Sequence, residues 1–317
     1  MKKILVIGSL NLDMVCNVDH IPAVGETILC PEMRFVPGGK GANQACAAGR
    51  LGADVTLLGA IGQDDQAELQ IQSLTSAGVD VAHLIRRTDQ RTGSAVVAVN
   101  PQGNNSIIVL PGANMSMSPT DIDENLALLK ACSVVVLQLE IPLGTVLYAA
   151  KKARELGKTV ILDPAPAPKD FPVELYRYVD IIKPNETELG ILSGIEHTEG
   201  ALSEAAEVLK RRGAKNILVT LGEKGLFLYP EGDVPCLIPA QKVQAVDTTA
   251  AGDAFTAALA CKVAEGISLQ DAARFANRVS AIVVTRPGAQ SSIPTLEEVE
   301  RCLLSDTAVS EEDAAEK

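Results

Sequence analysis

The sequence predicts a three-layer α/β/α fold with a mostly parallel central sheet and a small β-sheet projecting from it. Three observations lead there. After about residue 115, apolar runs of strand length alternate with amphipathic segments of helix length, the βαβ rhythm of a sheet covered on both faces. Extended pieces and a hairpin pattern in the first third fall outside that rhythm and need a sheet of their own. Of the 317 residues, 47% are hydrophobic and 21% charged, enough for one large core.

Ile4 to Ile7 is wholly apolar and reads as the first buried strand. Asp13 to Val18 and Thr27 to Val36 are extended, and Gly41 to Leu51 is a helix rich in small residues. Ser94 to Val99, the turn Pro101-Gln102-Gly103-Asn104-Asn105 and Ser106 to Leu110 make a hairpin. These pieces, at about residues 13–36 and 92–110, form the small sheet. Left uncovered, it exposes edges and an apolar face, which suits a lid over a site, a subunit interface, or both.

Val134 to Leu139, Thr159 to Leu162, Ile181 to Ile182 and Ile217 to Val219 are the later strands of the central sheet. Leu143 to Leu156, Ala201 to Arg212 and Leu269 to Val283 carry apolar residues at helical spacing with Gly or Pro near their ends, so they coat its faces. A further apolar helix runs from Ala254. One unit thus spans residues 1–304, and the polar, acidic, unpatterned residues 305–317 predict a frayed tail.

The formal net charge of −12 disfavours nucleic acid or an anionic membrane as partner and fits an enzyme of small molecules. Seven scattered cysteines without a Cys-x-x-Cys pair suggest neither a disulfide framework nor a zinc site. No apolar run approaches membrane-spanning length, and Met1-Lys2-Lys3 leads straight into a strand, so the expected location is cytoplasmic.

The run Ala245-Val246-Asp247-Thr248-Thr249-Ala250-Ala251-Gly252-Asp253 sets small residues and a carboxylate where the apolar helix begins. Unobstructed N–H groups at Ala250, Ala251 and Gly252 would cradle a migrating phosphoryl group, and Asp253 would take the acceptor's proton. An ordinary capped helix is the plainer alternative.

Asn11 and Asp13 alternate onto one side of an extended segment, where an amide and a carboxylate suit sugar hydroxyls; a turn serving its own backbone looks the same. Gly38-Gly39-Lys40-Gly41-Ala42-Asn43-Gln44 lets the chain approach a ligand and supplies donors, or is simply a tight turn before a helix. It has neither Walker A spacing nor the GxGxxG of a dinucleotide fold.

Glu140 ends an apolar strand, a place for ligand contact or for a solvated strand end. Asn185 and Glu188 share a face of a helix start, as Mg²⁺-nucleotide ligands or as a Pro-Asn cap with first-turn acids. Thr220-Leu221-Gly222-Glu223-Lys224-Gly225 joins two strands and would wrap a nucleotide or simply turn a hairpin.

The order of these signals is more specific than any one of them. The glycine cluster and the Asp247 to Asp253 run resemble the two signature motifs of the ribokinase, or PfkB, family of carbohydrate kinases. The resemblance runs from Gly8 to about Ser292 and extends to Gly-Ser-x-Asn-x-Asp at Gly8, Gln-Leu-Glu at Gln138, Pro-Asn-Glu-Thr-Glu at Pro184, Thr-Leu-Gly at Thr220 and Thr-Arg-x-Gly-Ala-Gln at Thr285.

The resemblance implies a ribokinase-like fold and ATP-dependent phosphorylation of D-ribose at its 5-hydroxyl, giving D-ribose 5-phosphate and ADP. It implies that Asn11, Asp13, Gly39, Lys40, Gly41, Ala42, Asn43 and Glu140 hold the sugar, with Asp253 as general base and Ala250, Ala251 and Gly252 as anion hole. Asn185, Thr220, Leu221, Gly222, Glu223, Lys224, Gly225, Gly252 and Asn277 would line the ATP site, with Glu188 organising Mg²⁺. An activating K⁺ would sit among Asp247, Thr249, Val283, Arg286, Gly288 and Ser292, and two copies would pair through the lid.

One departure is Asn277, where related enzymes often carry a histidine. Rival readings within the fold are kinases of 2-deoxyribose, fructose, a keto-deoxy acid or a nucleoside. Asn11, Asp13 and Glu140 favour a small, hydroxyl-rich sugar. A non-catalytic sugar-binding regulator would have no need of Asp253.

Overall fold

The computed structural model describes residues 3–102, 104–196 and 200–302. The tail expected at 305–317 and Gly103 of the hairpin turn lie outside the described residues. In chain order the strands are β1 (Ile4–Ile7), β2 (Asn11–Asn17), β3 (Met33–Gly38), β4 (Val55–Leu58), β5 (Ala60–Ile61), β6 (Ile85–Arg86), β7 (Gly93–Val99), β8 (Asn105–Leu110), β9 (Val134–Leu137), β10 (Thr159–Leu162), β11 (Ile181–Ile182), β12 (Asn216–Thr220), β13 (Leu226–Tyr229) and β14 (Cys236–Ile238). The helices are α1 (Lys40–Arg50), α2 (Asp65–Ser76), α3 (Pro119–Glu124), α4 (Leu126–Ala131), α5 (Leu143–Glu155), α6 (Glu186–Ser193), α7 (Leu202–Arg211), α8 (Ala251–Glu265) and α9 (Leu269–Val283).

Eight strands make the central sheet in the order β14-β13-β12-β11-β10-β9-β1-β4. β4 through β12 pair in parallel along it, and β13 and β14 close one edge antiparallel. Successive side chains of one strand enter opposite layers. Ile4 and Val6 pack with α1, α8 and α9, whereas Leu5 and Ile7 pack with α5, α6 and α7. That double burial is why the strands are apolar throughout rather than alternating. Every residue of α8 from Asp253 to Cys261 is buried, and its alanines allow close approach to α1 and α9.

The small sheet has the order β3-β2-β7-β8. β2 runs antiparallel to β3 and parallel to β7, and β7 and β8 form the expected hairpin. β2 follows β1 after only three residues, Gly8 to Leu10, so the small sheet leaves the body at the carboxyl end of β1.

Several boundaries correct the sequence reading. The strand expected from Thr27 begins at Met33, and the helix expected from Ala254 begins at Ala251. The first third also holds elements that the pattern did not predict, among them β4 and α2, the latter capped by Asp64 Oδ1 accepting from the Ala67 amide at 2.9 Å. No helix among the described residues is long and apolar enough to cross a membrane.

Candidate active site

The start of α8 is strained. Ala250 sits at φ 59, the only non-glycine residue with positive φ among the described residues, a conformation that costs an alanine roughly 1 kcal/mol. The first-turn amides of Ala251, Gly252 and Asp253 have no carbonyl four residues back. Ala251 makes only a long 3.3 Å contact to the Thr248 carbonyl.

Asp253, in that first turn, is buried yet reached from α1: Asn43 Nδ2 donates to its Oδ2 at 2.9 Å and Gln44 Nε2 to its Oδ1 at 3.1 Å. Burial pushes its carboxyl upward, opposed chiefly by the Lys40 ammonium. Lys40 is in turn held charged, mainly by Asp253.

α1 starts against the 8–11 turn, and two glycines make that possible. Gly39 has φ 86, and a Cβ there would lie 2.7 Å from the Asn11 nitrogen; one on Gly41 would lie 2.6 Å from the Ser9 nitrogen. The Gly41 amide donates to Ser9 Oγ at 3.3 Å and the Ala42 amide to the Ser9 carbonyl at 2.8 Å, so these two residues fasten the helix start. Glu140 lies past the end of β9, where its Oε2 accepts from the Lys40 amide at 3.0 Å and from Ser9 Oγ at 2.6 Å. The carboxylate thus caps α1.

Asn11 and Asp13 share one face of β2, as expected. Asn11 Oδ1 accepts from Asn114 Nδ2 at 2.8 Å, which orients its amide. Asp13 lies over Gly38, where a Cβ would meet its Oδ2 at 2.5 Å. Two buried acceptors here, Asp13 Oδ1 and Asn43 Oδ1, have no hydrogen-bond partner. Such atoms are costly unless a ligand satisfies them. Burial and the nearby Glu140 charge raise the Asp13 carboxyl to about 6.

A cleft of about 1210 Å³ opens beside Asp253. It is lined by Lys40, Asp163, Lys183, Asn185, Glu188, Thr220, Gly222, Glu223, Lys224, Gly225, Gly252 and Asn277, which joins nearly all the expected nucleotide residues. Leu221 is the exception, its side chain buried in the core because it ends the alternation of β12. Asn185 and Glu188 form a reciprocal cap: Asn185 Oδ1 accepts from the Glu188 amide and Glu188 Oε2 from the Asn185 amide, both at 2.8 Å. Burial, then the Asp163 charge, raises the Glu188 carboxyl. Asn277 Nδ2 donates to the Pro239 carbonyl at 2.9 Å.

Asp247 ties the turn before α8 to the segment after α9. Its Oδ1 accepts from the Thr249 amide at 2.9 Å and hydroxyl at 2.6 Å, and its Oδ2 from the Gly288 amide at 2.8 Å. The Val283 carbonyl accepts from the Arg286 amide, the Arg286 guanidinium pairs with Glu298, and Ser292 is buried. The six residues expected around K⁺ thus fall on the turn before α8 and on the end of α9 with the segment after it, which Asp247 joins. They offer a carboxylate, hydroxyls and backbone carbonyls, an all-oxygen set fit for a hard cation.

Sequence reasoning quoted Gln44 and Gln138 only as members of motifs and gave no role to them, to Asp163 or to Lys183. Gln44 Nε2 donates to Asp163 Oδ2 at 2.9 Å as well as to Asp253, and Gln138 Nε2 donates to Gln44 Oε1 at 2.5 Å. Lys183 and Asp163, 4% and 2% exposed, pair at 3.1 Å. Their signal was position: Gln138, Asp163 and Lys183 each directly follow an apolar strand at its carboxyl end, where ligands of open α/β sheets gather.

The signature described as pfkB family carbohydrate kinase matches residues 1–296. A ribokinase of Staphylococcus aureus is 39% identical over 300 residues, covering 94% of this chain and 98% of its own. A bifunctional ribokinase/ribose-5-phosphate isomerase A of Fructilactobacillus sanfranciscensis is 41% identical over 94% of this chain, which spans 56% of that longer protein. A deoxyribokinase of Salmonella typhimurium is 38% identical, covering 93% of this chain and 96% of its own. Among solved structures, a ribokinase of Thermotoga maritima superposes with a TM-score of 0.88 at 41% identity, over 96% of this chain and 99% of that one. A ribokinase of Arabidopsis thaliana complexed with ribose and ATP gives 0.88 at 35%, over 95% and 98%.

Proposed function

The chain belongs to the pfkB family of carbohydrate kinases, and we propose that it transfers the γ-phosphoryl group of ATP to the 5-hydroxyl of D-ribose, giving D-ribose 5-phosphate and ADP. The observation that carries this reading is the place of Asp253, which lines the large cleft and is held by Asn43 beside the two unsatisfied acceptors Asp13 Oδ1 and Asn43 Oδ1. A sugar with several hydroxyls satisfies those acceptors. The ribokinase of Arabidopsis thaliana complexed with ribose and ATP supports both substrates.

Asp253 accepts the 5-hydroxyl proton while that oxygen attacks the γ-phosphorus in line and ADP leaves with the electron pair of the broken bond. The amides of Ala251, Gly252 and Asp253, with the Lys40 ammonium, offset the charge on the transferred group. Asn11, Asp13, Gly39, Lys40, Asn43 and Glu140 would orient ribose, and Thr220, Gly222, Glu223, Lys224 and Gly225 with Asn185 and Asn277, which line the cleft, would hold the nucleotide. Glu188 would organise Mg²⁺, which neutralises the phosphate oxygens when bound. The loops joined by Asp247 would hold K⁺ next to the anion hole.

The small sheet of β3, β2, β7 and β8 acts as a lid that excludes water. Its exposed Met33, Phe35, Ile107, Ile108, Val109 and Leu110 support pairing of two copies there. All seven cysteines are free thiols, which supports a reducing, cytoplasmic location. The 38% identical deoxyribokinase makes 2-deoxyribose the second reading.

The test is ATP-dependent phosphorylation of ribose, 2-deoxyribose, fructose and adenosine, with Mg²⁺ and with K⁺ present or absent. Ribose 5-phosphate as the preferred product, formed faster with K⁺, supports the proposal. Preference for another acceptor moves the specificity and keeps the base.

A further inference from the structure

We propose that Lys183 is a second cationic contact to the transferred phosphoryl group, held ready at the start of α8 by Asp163 and the Gly252 carbonyl. The inference rests on the reading of the cleft as the site of an ATP-dependent kinase. Lys183 follows β11 and is 4% exposed, yet it lines the cleft. Its ammonium has three donors. It forms an ion pair with Asp163 Oδ1 at 3.1 Å and donates one hydrogen bond, to the Gly252 carbonyl at 3.3 Å, which leaves donors for a ligand. A Cβ on Gly252 would lie 3.4 Å from that nitrogen, so the ammonium sits against the residue whose amide faces the phosphoryl cradle.

Asp163 does not depend on Lys183 alone, because Gln44 Nε2 also donates to it at 2.9 Å. An arriving triphosphate can therefore draw the ammonium toward its terminal oxygens and leave Asp163 an amide partner. Lys40 lines the same cleft, its charge favoured chiefly by Asp253. The two ammonium groups would flank the phosphorus as its bond to the β,γ-bridging oxygen breaks, its bond to the sugar 5-oxygen forms and the hydroxyl proton passes to Asp253. Neither lysine gives up a proton in that step. Lys183 acts by charge, and such contacts are worth roughly 10²–10³ in turnover when they act mainly on the transition state.

The bland alternative is that Lys183 only neutralises Asp163, since breaking a buried pair leaves an uncompensated charge. The Lys183→Met variant and the Lys183→Met/Asp163→Asn double variant separate the two, the second leaving no lone carboxylate should the first fail to fold. Calorimetric titration with ADP and with a non-hydrolysable ATP analogue is read first, then kcat and the KM of ribose. Both variants are expected to bind ADP within threefold of the parent, to lose the parent's preference for the triphosphate analogue, and to lose about 10²-fold or more in kcat with ribose KM within twofold. Recovery of the triphosphate preference and of kcat in the double variant would overturn the proposal. The titrations need no sugar turnover, so a parent that distinguishes the two nucleotides but leaves ribose unphosphorylated contradicts the substrate assignment and not this one.

Discussion

Asn43 Nδ2 donates to Asp253 Oδ2 at 2.9 Å across 210 positions of sequence. That contact fastens the glycine-rich start of α1 to the small-residue start of α8, so one hydrogen bond joins the sugar-facing segment to the phosphoryl cradle.

Asp13 trades stability for recognition. Its carboxyl is raised from 3.8 to about 6, first by burial and then by Glu140, so the folded state holds the proton more tightly than the unfolded chain. The cost of its charge is therefore present above about pH 6 and is relieved as pH falls from about 6 toward 4. Asp13→Asn is expected to raise the melting temperature at pH 7.5, flatten this part of the pH dependence, and weaken ribose affinity by roughly tenfold to a hundredfold. In the parent, ribose affinity should fall below about pH 6 while nucleotide affinity holds. Thermal melts and ribose titrations between pH 5 and 8 check both.

Gly39→Ala meets both a φ of 86 and the backbone nitrogen of Asn11 at 2.7 Å, neither of which can move aside. The expected loss is about 2 kcal/mol or more, with ribose binding lost before nucleotide binding. Denaturant unfolding and separate ligand titrations test it; an unchanged ribose affinity contradicts the close approach of α1 to β2.

Ile108 is 65% exposed on β8, beside the exposed Ile107 and Val109. If two copies pair through this sheet, Ile108→Lys shifts sedimentation toward the monomer at micromolar concentration. A parent that sediments as a monomer at every concentration removes the pairing.

Asp247 holds two loops together through Thr249 and Gly288. Asp247→Ala is expected to lower kcat and abolish stimulation by K⁺, with ribose KM changed by less than threefold. Undiminished stimulation would place the cation elsewhere.

Legibility in the sequence followed the range of the interaction. β9, β10 and α9 were readable because burial on both faces, or on one helical stripe, writes itself into nearby residues. α2 was not, because only Ala67, Gln70 and Leu74 of its 12 residues are buried and the apolar stripe is thin. The candidate site shows the same division. Asp253, Lys40 and the cleft segments stand in local motifs, whereas Gln44 acquires its role from Asp163 and Asp253, 119 and 209 positions away. The positive φ of Ala250 was likewise hidden, since alanine carries no local preference for that conformation.

The central claim is that Asp253 takes the proton from a sugar hydroxyl as ATP is consumed. The direct measurement is single-turnover formation of ribose 5-phosphate by the parent and by Asp253→Asn, with ribose binding titrated in both. The account predicts ribose affinity within about tenfold of the parent and a fall in turnover of at least about 10³-fold. Turnover within tenfold of the parent would contradict it.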